Sequence, residues 1–473
     1  MHSPQAFIDQ VWAEEILPAV SEYIEIPNVS EHFDASWKAN GHMDRAVSLI
    51  HGWMASRRIA GLTIEVLELP GRSPLIVAEI PAFGGGEASK PGVLLYGHLD
   101  KQPEMSGWRE GLGPWTAVLE GDRLYGRGGA DDGYSAFAST LAIEAVQREG
   151  GSHQRCVILI EASEESGSPD LPAYVDHLAE RIGDIDLVIC LDSGCLDYQH
   201  LWVTTSLRGL VGGSLTVKVL EEGVHSGDAS GVVPSSFRLL RILLDRIEDA
   251  ATGEVLLPGF HVEIPADRLE EAKGTALAMS EPASSHYRFA QGTQPMTTDP
   301  EEQLLARTWK PTLSVTGAAG FPEVSRAGNV LRPFSALKLS LRLPPTCDSS
   351  SALAELSNAL LTDPPNSAVV GFDGLEAANG WNAPSLSPWL LRSLEAASQV
   401  TFGSSMRTFG EGGSIPFMGM LGMRFPAAQF VVTGVLGPES NAHGPNEFLH
   451  LPTARRLTVA MALILNDHAT AIR

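Results

Sequence analysis

Three short apolar runs in the first 200 residues, "PGVLLYGHLD" (91–100), "RCVILIEASEE" (155–165) and "IDLVICLDSG" (185–194), constrain the fold more than any other feature of the chain. Each is aliphatic without the alternation of a half-exposed strand, and each ends in an acid or a histidine. Continuous runs of this length read as strands buried on both faces. Between the first two, "DDGYSAFASTLAIEAVQREG" opens with Asp-Asp-Gly and continues with apolar residues at helical spacing, which puts Asp131 and Asp132 at a helix start. Strands alternating with helices predict an α/β fold with a mostly parallel sheet covered on both faces.

The middle of the chain follows a different order. "LVGGSLTVKVL" reads as strand, "PSSFRLLRILLDRIED" as helix, "PTLSVTG" and "ALKLSLRLP" as strands, "SSALAELSNALLTD" as helix and "SAVVGFDG" as strand. That βαββαβ order is the ferredoxin-like pattern. A polar, proline-bearing stretch at about 251–310 interrupts it and reads as loops and short helices. After about residue 380 a helix ("SPWLLRSLEAASQVTFG") and a strand ("AQFVVTGVLG") resume the earlier style. The expected organisation is an outer domain built from 1–207 and 379–473, with 208–378 inserted.

A chain of 473 residues with 44% apolar content can bury more than one core. Its formal charge of −24, from 57 acids against 33 bases, disfavours nucleic acid and anionic membranes as partners. Cys156, Cys190, Cys195 and Cys347 show no CxxC spacing, and two sit inside strand-like runs, which fits reduced thiols in the cytoplasm. The first twenty residues lack the basic and uninterrupted apolar regions of a signal peptide. No stretch approaches the roughly 18 apolar residues of a membrane span.

Polar residues collect at the strand ends: His98 and Asp100 in "GHLD", Asp131 and Asp132 in "GADDG", the adjacent Glu164 and Glu165, Asp192 in "CLDSG", and His443 in "ESNAHGPNEF". Strand carboxyl ends are where open α/β sheets build their sites. Taken singly, each has an ordinary reading as turn residue or helix cap. Together, two imidazoles among several carboxylates form the mixed N/O set that Zn²⁺ or Mn²⁺ accepts. One tetrahedral ion would leave several acids unpaired in a confined space, so the set suggests two cations. Two divalent ions, three carboxylate ligands and one hydroxide balance to zero, which leaves a further carboxylate free as a base.

At this point the motifs "YGHLDKQPE", "DRLYGRGGADDG", "EASEESGS", "LRGLVGGSLTVKVLEEGVHSGDASG", "LSLRLPP", "EGGSIPFM" and "NAHGPNEF" resemble, in order, those of the M20 metallopeptidases, most of all the cytosolic nonspecific dipeptidase (carnosine dipeptidase-like) branch. The resemblance implies that Asp131 bridges two divalent metal ions, with His98 and Asp192 completing one site and Glu165 and His443 the other. Zn²⁺ is the first expectation for both, Mn²⁺ or Co²⁺ being compatible. It further implies that Asp100 holds the His98 ring, that the Asp131–Asp132 peptide is cis, and that Glu164 is the general base acting on a water between the metals. Arg342 and Ser414 would bind the free C-terminal carboxylate of a dipeptide or short peptide, with Glu411 and Gly413 shaping the turn and Asn329 a further substrate contact. The inserted domain would be a dimerisation lid, and His225 would reach the partner's site in a homodimer and stabilise the oxyanion.

This chain reads "DDGYS" where the dipeptidase branch usually has Asp-Asp-Lys-Gly-Pro. Open alternatives at this stage are an N-acyl amino acid deacylase or an aminopeptidase of the same superfamily, and a peptide-binding homologue without chemistry. A Ca²⁺-binding structural protein is disfavoured by the two histidines.

Overall fold

The computed structural model describes residues 1–470 except Ser280 and Ser414. The chain divides into two compact units, one of Met1–Thr205, Ala383–Phe409 and Met420–Arg473, the other of Ser206–Asn382 and Gly410–Gly419. The segment 410–419, expected with the C-terminal part of the outer domain, belongs to the second unit instead. The reason is local: Arg208 N donates to Gly413 O at 3.0 Å and Arg208 Nε to Gly412 O at 3.1 Å, which ties these glycines to the start of the inserted chain.

In chain order the elements that matter here are β1 (Thr63–Leu67), β2 (Leu75–Ile80), β3 (Gly92–His98), α1 (Tyr134–Arg148), β4 (Cys156–Glu161) and β5 (Ile185–Cys190), then β6 (Gly209–Lys218), α2 (Ser236–Leu244), β7 (Thr312–Ala319), β8 (Phe334–Leu343), α3 (Ser349–Leu361) and β9 (Val369–Ala378), and finally α4 (Pro388–Thr401), β10 (Gln429–Val432) and α5 (Leu451–Thr470).

The first unit is built on a six-stranded sheet of order β1-β2-β4-β3-β5-β10. Its ladders β4–β3, β3–β5 and β5–β10 are parallel, while β1–β2 and β2–β4 are antiparallel. Every residue of β3 and β4 is buried, as continuous apolar runs require in a sheet covered on both faces. The antiparallel edge comes from the first ninety residues, whose strands carried no strong periodic signal. Helix α1 is buried along nearly its whole length and packs against α5; alanine and serine in "YSAFASTLAIEAV" keep its surface small enough for close approach.

The second unit holds a four-stranded antiparallel sheet of order β7-β8-β6-β9, with α2 and α3 packed on it. Buried and half-buried residues alternate along β8, so one face supplies Leu337, Leu339, Leu341 and Leu343 to a core completed by Leu239, Leu243, Leu356 and Leu360. The polar stretch between α2 and β7 is more ordered than expected. It includes a 13-residue helix, Ala266–Ala278, and a second, Pro300–Thr308, capped by Asp299. Ala272, Leu304, Leu305 and Trp309 form its own small core, too sparse in sequence to show a helical period.

Candidate metal centre at the strand ends

β3 delivers His98 to the carboxyl end of the sheet. Its ring is fully buried, with Nδ1 3.4 Å from Asp100 Oδ1 and 3.2 Å from Asp100 O. The other nitrogen, Nε2, lies 3.3 Å from Asp131 Oδ1, 3.7 Å from Asp192 Oδ2 and 4.0 Å from Glu164 Oε2. His443 Nε2 lies 3.0 Å from Asp131 Oδ2 and 3.3 Å from Glu165 Oε2. The two oxygens of Asp131 therefore face two different imidazoles.

The surroundings fix this arrangement from several directions. The Asp131–Asp132 peptide is cis. Asp100, wholly buried, accepts the backbone amides of Glu164 at 3.1 Å and Glu165 at 3.0 Å, so one carboxylate sets both the histidine ring and the turn after β4. Gln102 Nε2 donates to Glu165 Oε2 at 2.7 Å. Gly97 is required by close approach: a Cβ there would sit 2.0 Å from Ser135 Oγ and 2.8 Å from Asp132 Oδ2.

Without a cation the cluster is electrostatically frustrated. Burial, reinforced by the charge of Asp192, pushes the carboxyls of Glu164 and Asp132 well above the usual carboxylate range. Burial and the neighbouring Asp131 push Glu165 up to about 8. Burial also opposes ionisation of Asp131, yet hydrogen bonds from His443 and His98 outweigh it and hold that acid well below its ordinary value. Five acids, Asp131, Asp132, Glu164, Glu165 and Asp192, thus share two imidazoles. His98 Nε2 and Asp132 Oδ1 are buried without a well-formed hydrogen bond. Orphaned buried atoms aimed into a carboxylate cluster, with an imidazole ring oriented through its other nitrogen, fit a divalent cation. Among the described residues two groups have donor atoms within 4.8 Å of one another, His98–Asp132–Asp192 and His98–Asp131–Glu165.

The remaining candidates lie in the second unit. His225, exposed, pairs with Val330 in a short antiparallel ladder, and Ser226 N donates to Asn329 O at 2.9 Å, so His225 and Asn329 are neighbours. Arg342, on β8, is in register with Thr312, whose hydroxyl accepts from Arg208 Nη1 at 3.2 Å. Arg208 in turn holds Gly412 and Gly413, which brings Arg342, Gly413 and Glu411 to one corner of that unit. Ser414 lies outside the described residues. Burial, with the charges of Arg342 and Arg307 adding to it, lowers Arg208 to about 10.

Four residues of these sites, Gln102, Arg208, Arg127 and Glu447, were not singled out in the sequence. Asp132, collected with the strand-end acids but given no ligand role, faces His98, whose backbone N–H it accepts at 3.3 Å. Gln102 and Arg208 stand in quoted motifs without a pattern to mark them. Arg127 and Glu447 form a buried ion pair across most of the chain's length; the only available signal was a charged residue among glycines in "YGRGG" and another before an aromatic in "NEF".

A model of the family described as peptidase family M20/M25/M40 matches residues 94–467. A cysteinylglycine-S-conjugate dipeptidase of Corynebacterium striatum is 26% identical over 380 residues, 79% of this chain and 80% of its own. A Beta-Ala-His dipeptidase of Homo sapiens is 26% identical over 314 residues, 64% of this chain and 60% of its own, so that alignment spans under two thirds of the relative. The solved structure of the dipeptidase Dug1p of Saccharomyces cerevisiae superposes with a TM-score of 0.80 over 99% of this chain and 98% of that one, at 20% identity, a likeness of fold. No helix among the described residues is long and apolar enough to cross a membrane.

Proposed function

Because the chain belongs to peptidase family M20/M25/M40 and is a hydrolase, we propose that it is a metal-dependent exopeptidase cleaving dipeptides or short peptides with a free C-terminal carboxylate. The observation that carries this reading is Asp131, one oxygen 3.3 Å from His98 Nε2 and the other 3.0 Å from His443 Nε2. Two divalent cations, Zn²⁺ first, with Mn²⁺ or Co²⁺ as alternatives, would be held by His98, Asp131 and Asp192 and by Asp131, Glu165 and His443. When bound, they supply Lewis-acid polarisation of the scissile carbonyl and acidify water toward neutrality.

The chain's own residues do the rest. Glu164, not among those ligands and nearly buried, takes the proton of the attacking water and returns it to the leaving amine. Asp100 orients His98 through the ring nitrogen that faces away from the cluster. Arg342, with Arg208 concentrating positive charge beside it, and Ser414, next in sequence to Gly413, bind the substrate carboxylate; Gly413 and Glu411 shape that subsite, and Asn329, beside His225, is a further substrate contact. His225 stabilises the oxyanion in the site of a partner subunit, which makes the protein a homodimer. Exposed apolar residues of the second unit, Phe237, Val315, Phe321 and Val324, support a covered surface there. Four free, buried cysteines are in keeping with a cytoplasmic setting.

The test is turnover of a dipeptide library by chelator-stripped protein re-supplied with each metal, beside C-terminally amidated dipeptides and N-acyl amino acids. Metal-restored cleavage of free dipeptides and none of the amides is expected. Cleavage of acyl amino acids alone, or full activity without metal, would overturn the reading.

A further inference from the structure

His98 and His443 are held in opposite ways. The His98 side chain is 0% exposed, locked by packing and by Asp100, whereas that of His443 is 56% exposed and has no core to lean on. Its backbone is also in the left-handed region at φ +64°, within a loop where Glu439 (+65°), Asn441 (+53°) and Asn446 (+64°) do the same. Non-glycine residues persist there only where the surroundings over-determine them.

The surroundings that do so are centred on Arg127. Its guanidinium, 1% exposed, pairs through Nη1 with Glu447 Oε2 at 2.5 Å, and Glu447 is fully buried. Nη2 donates to the carbonyls of His443 at 3.0 Å and Gly444 at 2.9 Å, and Nε to Pro103 O at 3.2 Å. The second oxygen of Glu447 accepts Gly128 N at 2.9 Å, and its carbonyl accepts Gly126 N at 3.0 Å. Gly126 and Gly128 lead directly into Asp131. One ion pair therefore grips the loop that carries His443 and the segment that carries Asp131, the two side chains that meet at 3.0 Å.

We infer that Arg127 and Glu447 are positioning residues that set the affinity of the cation position formed by His443 and Glu165, leaving the position at His98 and Asp192 largely independent of them. This rests on the two-cation reading above. The planar fork is essential, because a lysine ammonium cannot reach a carboxylate and two carbonyls in one plane.

The test uses the full-length chain titrated with Zn²⁺ and with Co²⁺ against a competing chelator, following stoichiometry, affinity and the cobalt absorption of each equivalent. Arg127→Met/Glu447→Met removes both charges at nearly constant volume, which avoids leaving a lone buried ion. In that variant one equivalent should bind as in the parent and the other about 10- to 100-fold more weakly. Should the double variant fail to fold, Glu447→Gln gives the same comparison with a smaller loss confined to one equivalent. Unchanged affinities for both equivalents in whichever variant folds, or equal weakening of both, would overturn the inference. A parent chain that binds fewer than two ions would sink the two-cation reading itself, before any variant is considered.

Discussion

Replacing Asp100 by Asn tests whether a single buried carboxylate organises the paired glutamates. Its two oxygens each accept one backbone amide, from Glu164 at 3.1 Å and Glu165 at 3.0 Å, and the same group faces His98 Nδ1 at 3.4 Å. An amide of the same shape keeps one acceptor and turns a donor toward the other N–H. A hydrogen bond to a charged group is worth about 1.5–3 kcal/mol. The turn that carries the two amides is half-buried, so water recovers some of the loss and the lower half of that range applies. Asn should therefore cost about 2 kcal/mol locally, and Ala, which loses both bonds, about 3–4 kcal/mol. Since 1.4 kcal/mol is tenfold, amide hydrogen exchange at Glu164 and Glu165 should accelerate about 30-fold in Asp100→Asn, while the middle of β3 keeps its protection. Affinity for one cation should fall with it, because the His98 ring loses the carboxylate that helps to orient it and keeps only the Asp100 carbonyl. Parental exchange at both amides together with parental metal affinity would refute the reasoning.

Glu164→Gln should bind metal as the parent does and lose about 10²- to 10⁴-fold in turnover, measured as kcat on the best dipeptide; near-normal turnover would reassign the base. Mixing inactive His225→Ala and Glu164→Gln subunits should restore part of the activity, and a mixture no better than its components would speak against a histidine acting in the partner's site. Gly97→Ala forces a methyl into Ser135 Oγ and should lower stability by about 1–3 kcal/mol in thermal unfolding, with partial recovery in the Gly97→Ala/Ser135→Gly double variant. Burial pushes the Cys156 thiol up to about 12, so iodoacetamide at pH 8 should label it only after unfolding. Its folded value lies above the unfolded one near 9, so its contribution to stability is whole below pH 9 and is lost as pH rises toward 12.

The most buried parts of this protein were the most legible. β3 and β4 announced themselves because a strand covered on both faces has no reason to include polar residues until it ends, which is also why His98 and the Glu164–Glu165 turn stood out. The βαββαβ order of the second unit was readable because β8 alternates strictly and α2 and α3 each carry an apolar stripe. What stayed hidden depends on distance or on weak local signals. Arg127 and Glu447 are 320 positions apart and only folding pairs them. β1 and β2 are short, and the apolar residues of the helix Ala266–Ala278 are mostly alanine, so neither offered a clear period to read. The transfer of 410–419 to the second unit rests on two carbonyls accepting from Arg208, an interaction that no side-chain pattern encodes.

The insertion of one unit into the other also sets the order in which the molecule can be made. His98, Asp131, Glu165 and Asp192 have all been synthesised before the second unit begins at Ser206, but His443 follows Asp192 by roughly 250 residues, about 12–50 s of translation. Throughout that interval β5, with the sequence "IDLVIC", waits as an open sheet edge for β10. An unpaired apolar edge is a template for foreign strands. The nascent protein therefore passes through a stage in which it is most in need of shielding by chaperones, and it acquires its last histidine only as that stage closes.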